Sequence, residues 1–382
     1  MMDAKISQHS QRELVQRLQS RYLQADRKEK TKILDEFVAV TGLHRKAAIR
    51  RLRQQNQPKR ERRGRQKIYT GSVVSALTQI WRICGGICGK RLQPILGDMV
   101  ASLERHQKLQ LDQETKALLL AVSPATIDRL LRPFKFSQRR GQSTTKPGGL
   151  LKQQVPIRTF ADWDEAQAGF VEIDLVAHCG ESTAGQFLYS FTATDVATGW
   201  TECFGLQHRS QIAVSEAIDQ LQQRLPFPLL GIDSDNDDVF LNDLILNYCQ
   251  TRQITFTRCR PYKKNDQCFV EQKNWSIVRR TIGYQRFESQ AAYQLLGDIY
   301  GELHLYSNLF QPTFKLVSKK RTGAKVYKKY DTPQTPLQRV LDMKLLSPEN
   351  RERWQATYRD TNPAQCRRNI DEKVKQLVRL GK

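Results

Sequence analysis

Residues 229–280, LLGIDSDNDDVFLNDLILNYCQTRQITFTRCRPYKKNDQCFVEQKNWSIVRR, decide how this chain folds. The run Leu229–Ser234 reads as a strand that delivers Asp235 at its carboxyl end. Phe240–Thr251 has the spacing of a helix and Ile254–Thr257 that of a further strand. Cys268–Arg280 reads as one helix with Glu271 near its start. Upstream, Gly169–Val176 is an apolar strand broken by Asp174, and Phe187–Asp195 is a second strand. The turn at Gly199-Trp200 leads into a third, Thr201–Phe204, and Ser210–Arg224 is helical. Three strands, a helix, then strand–helix–strand–helix predicts an α/β domain built on a mixed five-stranded sheet with helices, of the ribonuclease H-like kind.

That order sets Asp174 on the first strand, Asp235 at the end of the fourth and Glu271 early in a helix. Sixty residues separate the first two acids and 35 the second two. Clustered carboxylates suit hard divalent cations, which prefer oxygen ligands. Two such ions roughly 3.5–4 Å apart can activate an attacking oxygen and stabilise the leaving oxygen of a phosphodiester. The competing reading is three unrelated surface acids. Strand–strand–helix placement inside a basic chain argues against it.

The charge is segregated. The whole chain carries a formal +23, which favours a polyanionic partner, nucleic acid before membrane. Residues 1–70 carry +12 and 71–150 carry +7, whereas 151–290 carry −5 and 311–382 carry +11. An acidic middle between basic flanks is what a metal-using enzyme held on DNA by its neighbours would need. No apolar run approaches the ~20 residues of a membrane span, and the polar N-terminus has no signal-peptide core. A cytoplasmic, nucleoid-associated protein is therefore expected. The eight cysteines are scattered; only Cys84 and Cys88 are close, without the further ligands a zinc site needs.

Five segments are expected: 1–68, a helix-turn-helix DNA-binding domain with a basic arm; 69–136, a second helical DNA-binding module; 137–157, a linker; 158–310, the catalytic core; and 311–382, a basic β-hairpin and helical region. In the first, Ile33, Phe37 and Val40 make an apolar stripe, Thr41-Gly42 a turn, and Ala48, Ile49 and Leu52 face inward. Arg45, Lys46, Arg50 and Arg51 are left outside, as a helix in a major groove requires. An ordinary hairpin with a solvated basic face is the alternative. The arm QPKRERRGRQK, 57–67, could enter a minor groove. In the second module Ser123 can cap a helix with Pro124 in its first turn and Ile127, Leu130 and Leu131 as its buried stripe. In the last, TFKLVSKKRTGAKVYKKY reads as a hairpin around Gly323, with Lys319, Lys320 and Arg321 as phosphate-binding candidates.

The motifs FVEIDLVAHCG, TDVATGWTE, GIDSDNDDVFLN and RPYKKNDQCFVEQKNWSIVRR with GYQRFE resemble those of insertion-sequence transposases and retroviral-type integrases of the DDE superfamily. The resemblance is strongest over roughly 157–290. It implies Asp174, Asp235 and Glu271 as ligands of two Mg²⁺ ions, with Mn²⁺ able to substitute. It also implies cleavage at transposon ends, then attack of the freed 3′-hydroxyl on target DNA. The protein's partner would be double-stranded DNA, on which it would assemble as a homo-oligomer, with no role at a membrane.

Asn236 matches the superfamily's Asp-Asn pair and is expected to shape the site. Asn274, three residues after Glu271, shares its helix face. Lys263, Lys264, Lys273, Arg279 and Arg280 are candidates to grip phosphates. Trp200 and Trp275 read as packing residues, and His178 as a structural histidine. One departure stands out: Asp237-Asp238-Val239 replaces the superfamily's glycine and small residue after Asp-Asn. That removes a residue tolerant of positive φ and adds like charge near the metals. A decayed copy that binds DNA without cutting it, or a nuclease that cleaves without joining, are the competing functions.

Overall fold

The computed structural model describes residues 8–53, 68–134, 167–260 and 267–382. The expected basic arm, the whole of the expected linker, and Lys263 and Lys264 lie outside the described residues. Contacts divide the chain into two compact units, 1–68 and 69–382.

The first unit holds α1 (Gln8–Gln24), α2 (Arg27–Thr41) and α3 (Arg45–Arg53). Asp26 caps α2 by accepting from the Glu29 N–H, and Gly42 ends it at φ 65°, returning its N–H to the Val38 carbonyl. That left-handed turn is the one glycine adopts without steric cost. Ile33, Leu34, Phe37, Ala48 and Leu52 close the core together with Tyr22 of α1. Val40, expected in the stripe, is instead 54% exposed. The buried stripe runs through Ile33, Phe37 and Thr41 at four-residue steps, which leaves position 40 on the solvent side.

The second unit begins with α4 (Gly71–Ile83), α5 (Gly89–Arg105), α6 (Gln113–Leu120) and α7 (Pro124–Leu131). Ser123 caps α7 through the Thr126 N–H at 3.3 Å. Gly89 lets α5 start against α7, because a Cβ there would stand 2.1 Å from the Pro124 carbonyl oxygen. The apolar side chains of these helices, among them Leu77, Leu92, Leu103 and Ile127, form one continuous core with those of the sheet.

The sheet comprises β1 (Phe170–Ala177), β2 (Tyr189–Asp195), β3 (Thr201–Leu206), β4 (Gly231–Ser234) and β5 (Thr255–Arg258). Its order is β3-β2-β1-β4-β5. The first three strands form an antiparallel meander, while β4 and β5 run parallel to β1. Helices α8 (Gln211–Arg224) and α9 (Asp243–Thr251) supply the crossovers that parallel pairing demands.

The helix expected over Cys268–Arg280 is broken: α10 (Cys268–Lys273) gives way to a π-helical stretch, Asn274–Arg279, and then to α11 (Arg280–Ile282). The long α12 (Gln290–Phe310) follows. Beyond it come the hairpin β6 (Leu316–Thr322) and β7 (Lys325–Tyr330), then α13 (Pro336–Asp342), α14 (Pro348–Asp360) and α15 (Pro363–Leu380). Ile370 and Leu377 of α15 pack into a second apolar cluster with Leu296, Ile299 and Leu303 of α12. Among the described residues no helix is long and apolar enough to cross a membrane.

Candidate active site

The pleat of β1 and β4 gives the sheet two unlike faces. Residues i and i+2 of a strand share a side, so Val171, Ile173 and Ile232 point into the apolar core. Glu172 and Asp174 point the other way. Parallel pairing sets Glu172 beside Asp233, and Asp235 follows β4 directly. Two carboxylates from each of two adjacent strands thus converge near the centre of the sheet.

The deeper pair is fully sequestered: Glu172 is 0% and Asp233 1% exposed. Asp233 accepts from the Thr257 hydroxyl at 2.5 Å. Glu172 accepts the Val270 backbone N–H at 2.6 Å, which ties β1 to the start of α10, the helix of Glu271. Burial first, and then the Asp233 carboxylate, push the Glu172 acid well above the usual carboxylate range. These two residues were missed in the sequence, although the i, i+2 spacing of acids in VEIDLV and GIDSDN was the signal for them.

The outer acids are the expected ones. Asp174 accepts from the Leu175 N–H at 2.8 Å and from Asn274 Nδ2 at 2.6 Å. Burial, followed by the Asp235 carboxylate and then Glu271, raises its pKa to about 8. Burial lifts Asp235 to about 6, against the Asp237 N–H bond that holds it down. That bond is 2.9 Å long. Glu271 lies on the exposed side of α10. Asp174 thus feels the charge of both other acids. Among the described residues, however, no three His, Cys, Asp or Glu side chains are gathered closely enough to hold a metal ion between them.

The donor set suits a hard cation in kind, being oxygen throughout. One further oxygen is available beside it: Asn274 Oδ1 is buried with no hydrogen-bond partner. The π-helical stretch begins at this residue, and such irregular turns are frequent at functional sites.

The Asp237-Asp238 departure has a structural answer. Arg209, from the loop after β3, donates to Asp237 and to Asp238 Oδ1, the latter at 2.8 Å. One guanidinium thus bridges both additional carboxylates and offsets one of their two charges. Asp237 is not among the described non-glycine residues with positive φ, so the backbone here needs no glycine. Asn236 joins the ends of β4 and β5, donating to the Cys259 carbonyl at 2.9 Å and accepting from Arg258 at 3.0 Å. Arg209 was also missed, since nothing local in the sequence links it to a loop 28 residues away.

The remaining candidates are dispersed. Lys273 is buried and donates to the Gly199 carbonyl at 3.1 Å; burial lowers its pKa to about 7. Arg279 donates to the Ala177 carbonyl at 2.8 Å, and Arg280 to that of Gly85. Arg45 pairs with Asp35, Arg51 donates to Gln11 at 2.7 Å, and Lys46 and Arg50 are exposed. Lys319, Lys320 and Arg321 lie on the exposed hairpin. His178 is fully buried, with Nε2 2.6 Å from the Ser190 hydroxyl. Trp200 is packed inside, its indole N–H donating to Glu202 at 2.7 Å. Trp275, read as a packing residue, is 59% exposed. The π-helical turn is the reason, since it buries Ile277 and Val278 and leaves position 275 outside.

A central β1 flanked by an antiparallel meander on one side and parallel β4 and β5 on the other is the mixed five-stranded sheet expected from the sequence. The chain belongs to one family with the uncharacterized protein y4rM of Sinorhizobium fredii (strain NBRC 101917 / NGR234). The two are 43% identical over 340 residues, covering 88% of this chain and 97% of that one. No family model matches the sequence. Among solved structures, the catalytic core domain of BIV integrase aligns with 47% of this chain and 97% of its own, at 21% identity and a TM-score of 0.30.

Proposed function

We propose that this protein is a DNA transposase of the DDE class, with Asp174, Asp235 and Glu271 as its catalytic carboxylates. The observation that carries the reading is the placement of Asp174 on β1 beside Asp235 at the end of the paired β4, inside an acidic segment whose flanks are strongly basic. Carboxylates set on neighbouring strands in a largely buried place repel one another, and a divalent cation is the natural counter-charge. Asp174, Asp235, Glu271 and Asn274 Oδ1 would hold Mg²⁺, with Mn²⁺ as a substitute. Bound there, two such ions would activate the attacking oxygen and stabilise the leaving oxygen of a phosphodiester.

The chain's own residues have defined tasks in this reading. Asn274 keeps Asp174 in place through its Nδ2. Arg209 bridges Asp237 and Asp238 and offsets one of their two charges, and Asn236 holds the Asp235 loop to β5. Arg45, Lys46, Arg50 and Arg51 of α3 contact duplex DNA, as do Lys319, Lys320 and Arg321. Substrates are the element's ends and target DNA, held by a homo-oligomer assembled on them in the nucleoid.

A second reading, a chain that binds DNA without cutting it, draws on the exposed position of Glu271 and the looseness of the acidic cluster. Mg²⁺- or Mn²⁺-dependent nicking and joining of DNA bearing the element's ends decides between them. The parent protein should cut and join, and Glu271→Gln should bind with unchanged affinity yet do neither. Binding without cutting by the parent overturns the proposal. Cutting without joining makes the chain a nuclease.

A further inference from the structure

The hairpin β6–β7 is an unusual thing for a folded chain to build. All 13 residues of its two strands are exposed, so neither face of the ribbon rests on a core. An isolated two-stranded hairpin is marginal in water at best. Residues 316–330 contain six basic residues and no acid. Lys319 even stands directly opposite Lys328, a like-charge pairing that destabilises a sheet.

Stability comes from the root. Lys315 N–H donates to the Asp331 carboxylate at 2.7 Å, and the Asp331 N–H returns to the Lys315 carbonyl at 3.0 Å. Arg339 of α13, itself buried, holds the second Asp331 oxygen at 2.7 Å. Phe314 and Tyr330 stack edge-on across the base, their centroids 5.8 Å apart. The ribbon is thus presented from a fixed foot.

Cross-strand register sorts its side chains. Lys319, Arg321, Val326 and Lys328 share one face; Lys320, Lys325, Tyr327 and Lys329 share the other. Both faces are therefore basic, and each also carries exposed apolar surface, Val326 on one and Tyr327 on the other. A flat acidic partner, such as a membrane or a protein surface, meets only one face of a ribbon. A groove walled by phosphates meets both.

We propose that β6–β7 enters the major groove of duplex DNA, one face toward the base edges and the lysines of the other reaching round to the phosphate walls. The groove, about 12 Å wide, admits a two-stranded ribbon. Seven residues at about 3.4 Å each span roughly two-thirds of a helical turn. Val326 or Tyr327 can contact thymine methyl groups on the groove floor. The inference rests on the proposed function only for the kind of partner.

The test is binding of the full chain to a short mixed-sequence duplex in EDTA, which reads the ribbon whether or not the acidic site cuts. Two triple variants separate the faces: K319S/R321S/K328S and K320S/K325S/K329S. Each should lower the slope of log affinity against log salt by about 1 to 3. Each should also lose protection of guanine N7, a major-groove atom. Unchanged melting temperatures would show the foot intact. A slope that responds to one face alone means a flat contact, and no response from either means that DNA is held elsewhere. Protection of adenine N3 in place of guanine N7 puts the ribbon in the minor groove. Any of these overturns the proposal.

Discussion

Replacing Asp174 by Asn should stabilise the protein near neutral pH, because the carboxylate there is held at a cost. Folding raises its pKa from 3.8 to about 8, through burial first and the Asp235 and Glu271 carboxylates after it. An acid whose pKa rises on folding binds its proton more tightly in the folded state. Its contribution to stability is therefore full below about pH 4 and is lost as pH climbs toward 8. A rise of about four pH units at about 1.4 kcal/mol each gives a ceiling of about 5–6 kcal/mol.

Asp174 is only partly covered by its neighbours, so solvent screening brings this to about 2–3 kcal/mol. The substituted amide keeps an oxygen for the Leu175 N–H. Asn274 can then turn its side chain, so that Oδ1, now without a partner, accepts from the new amide nitrogen. The assay is thermal melting of parent and Asp174→Asn from pH 4 to pH 8.5, with and without Mg²⁺. The variant should melt roughly 3–5 °C higher at pH 8, the gap should close toward pH 4, and Mg²⁺ should raise only the parent. Equal melting temperatures at pH 8, or a gap independent of pH, would refute the reasoning.

Arg209→Ala leaves Asp237 and Asp238 uncompensated and should raise the pKa of Asp235, moving the alkaline rise of any metal-dependent activity to higher pH; a superimposable pH profile would show that the guanidinium does not reach the site. Lys273→Met should raise the melting temperature at pH 6–7. The folded lysine has its pKa depressed from 10.5 to about 7, so its contribution is full above about pH 10 and is lost as pH falls through 7; a gain that persists unchanged at pH 10 contradicts this. Trp200→Ala should cost about 3–5 kcal/mol and Trp275→Ala less than about 0.5 kcal/mol by urea unfolding, and comparable losses would mean that Trp275 is covered in solution.

Much of the five-stranded sheet and its helices was legible from the chain because strands and crossover helices are patterned locally. The apolar run around Asp174, the run leading to Asp235 and the helical spacing around Glu271 each report on a few neighbours in the chain. The turn at Gly42 and the cap at Ser123 were readable for the same reason. Less accessible was the helix after Glu271. Its π-helical stretch depends on Ile277 and Val278 finding a core, and it exposes Trp275, which composition alone assigns to the interior.

Acidic residues on and just beyond the strands of a mixed sheet, between basic segments, were written in the local pattern of the chain. Tertiary structure alone decided which groups surround them. The parallel pairing of β1 with β4 sets Glu172 beside Asp233, 61 positions apart. The fold also brings Arg209 to Asp237 and turns Lys273 inward to the Gly199 carbonyl. The physical reason is range: hydrophobic periodicity is written within a turn or a pleat, whereas charge compensation and burial depend on residues that only the folded chain makes neighbours.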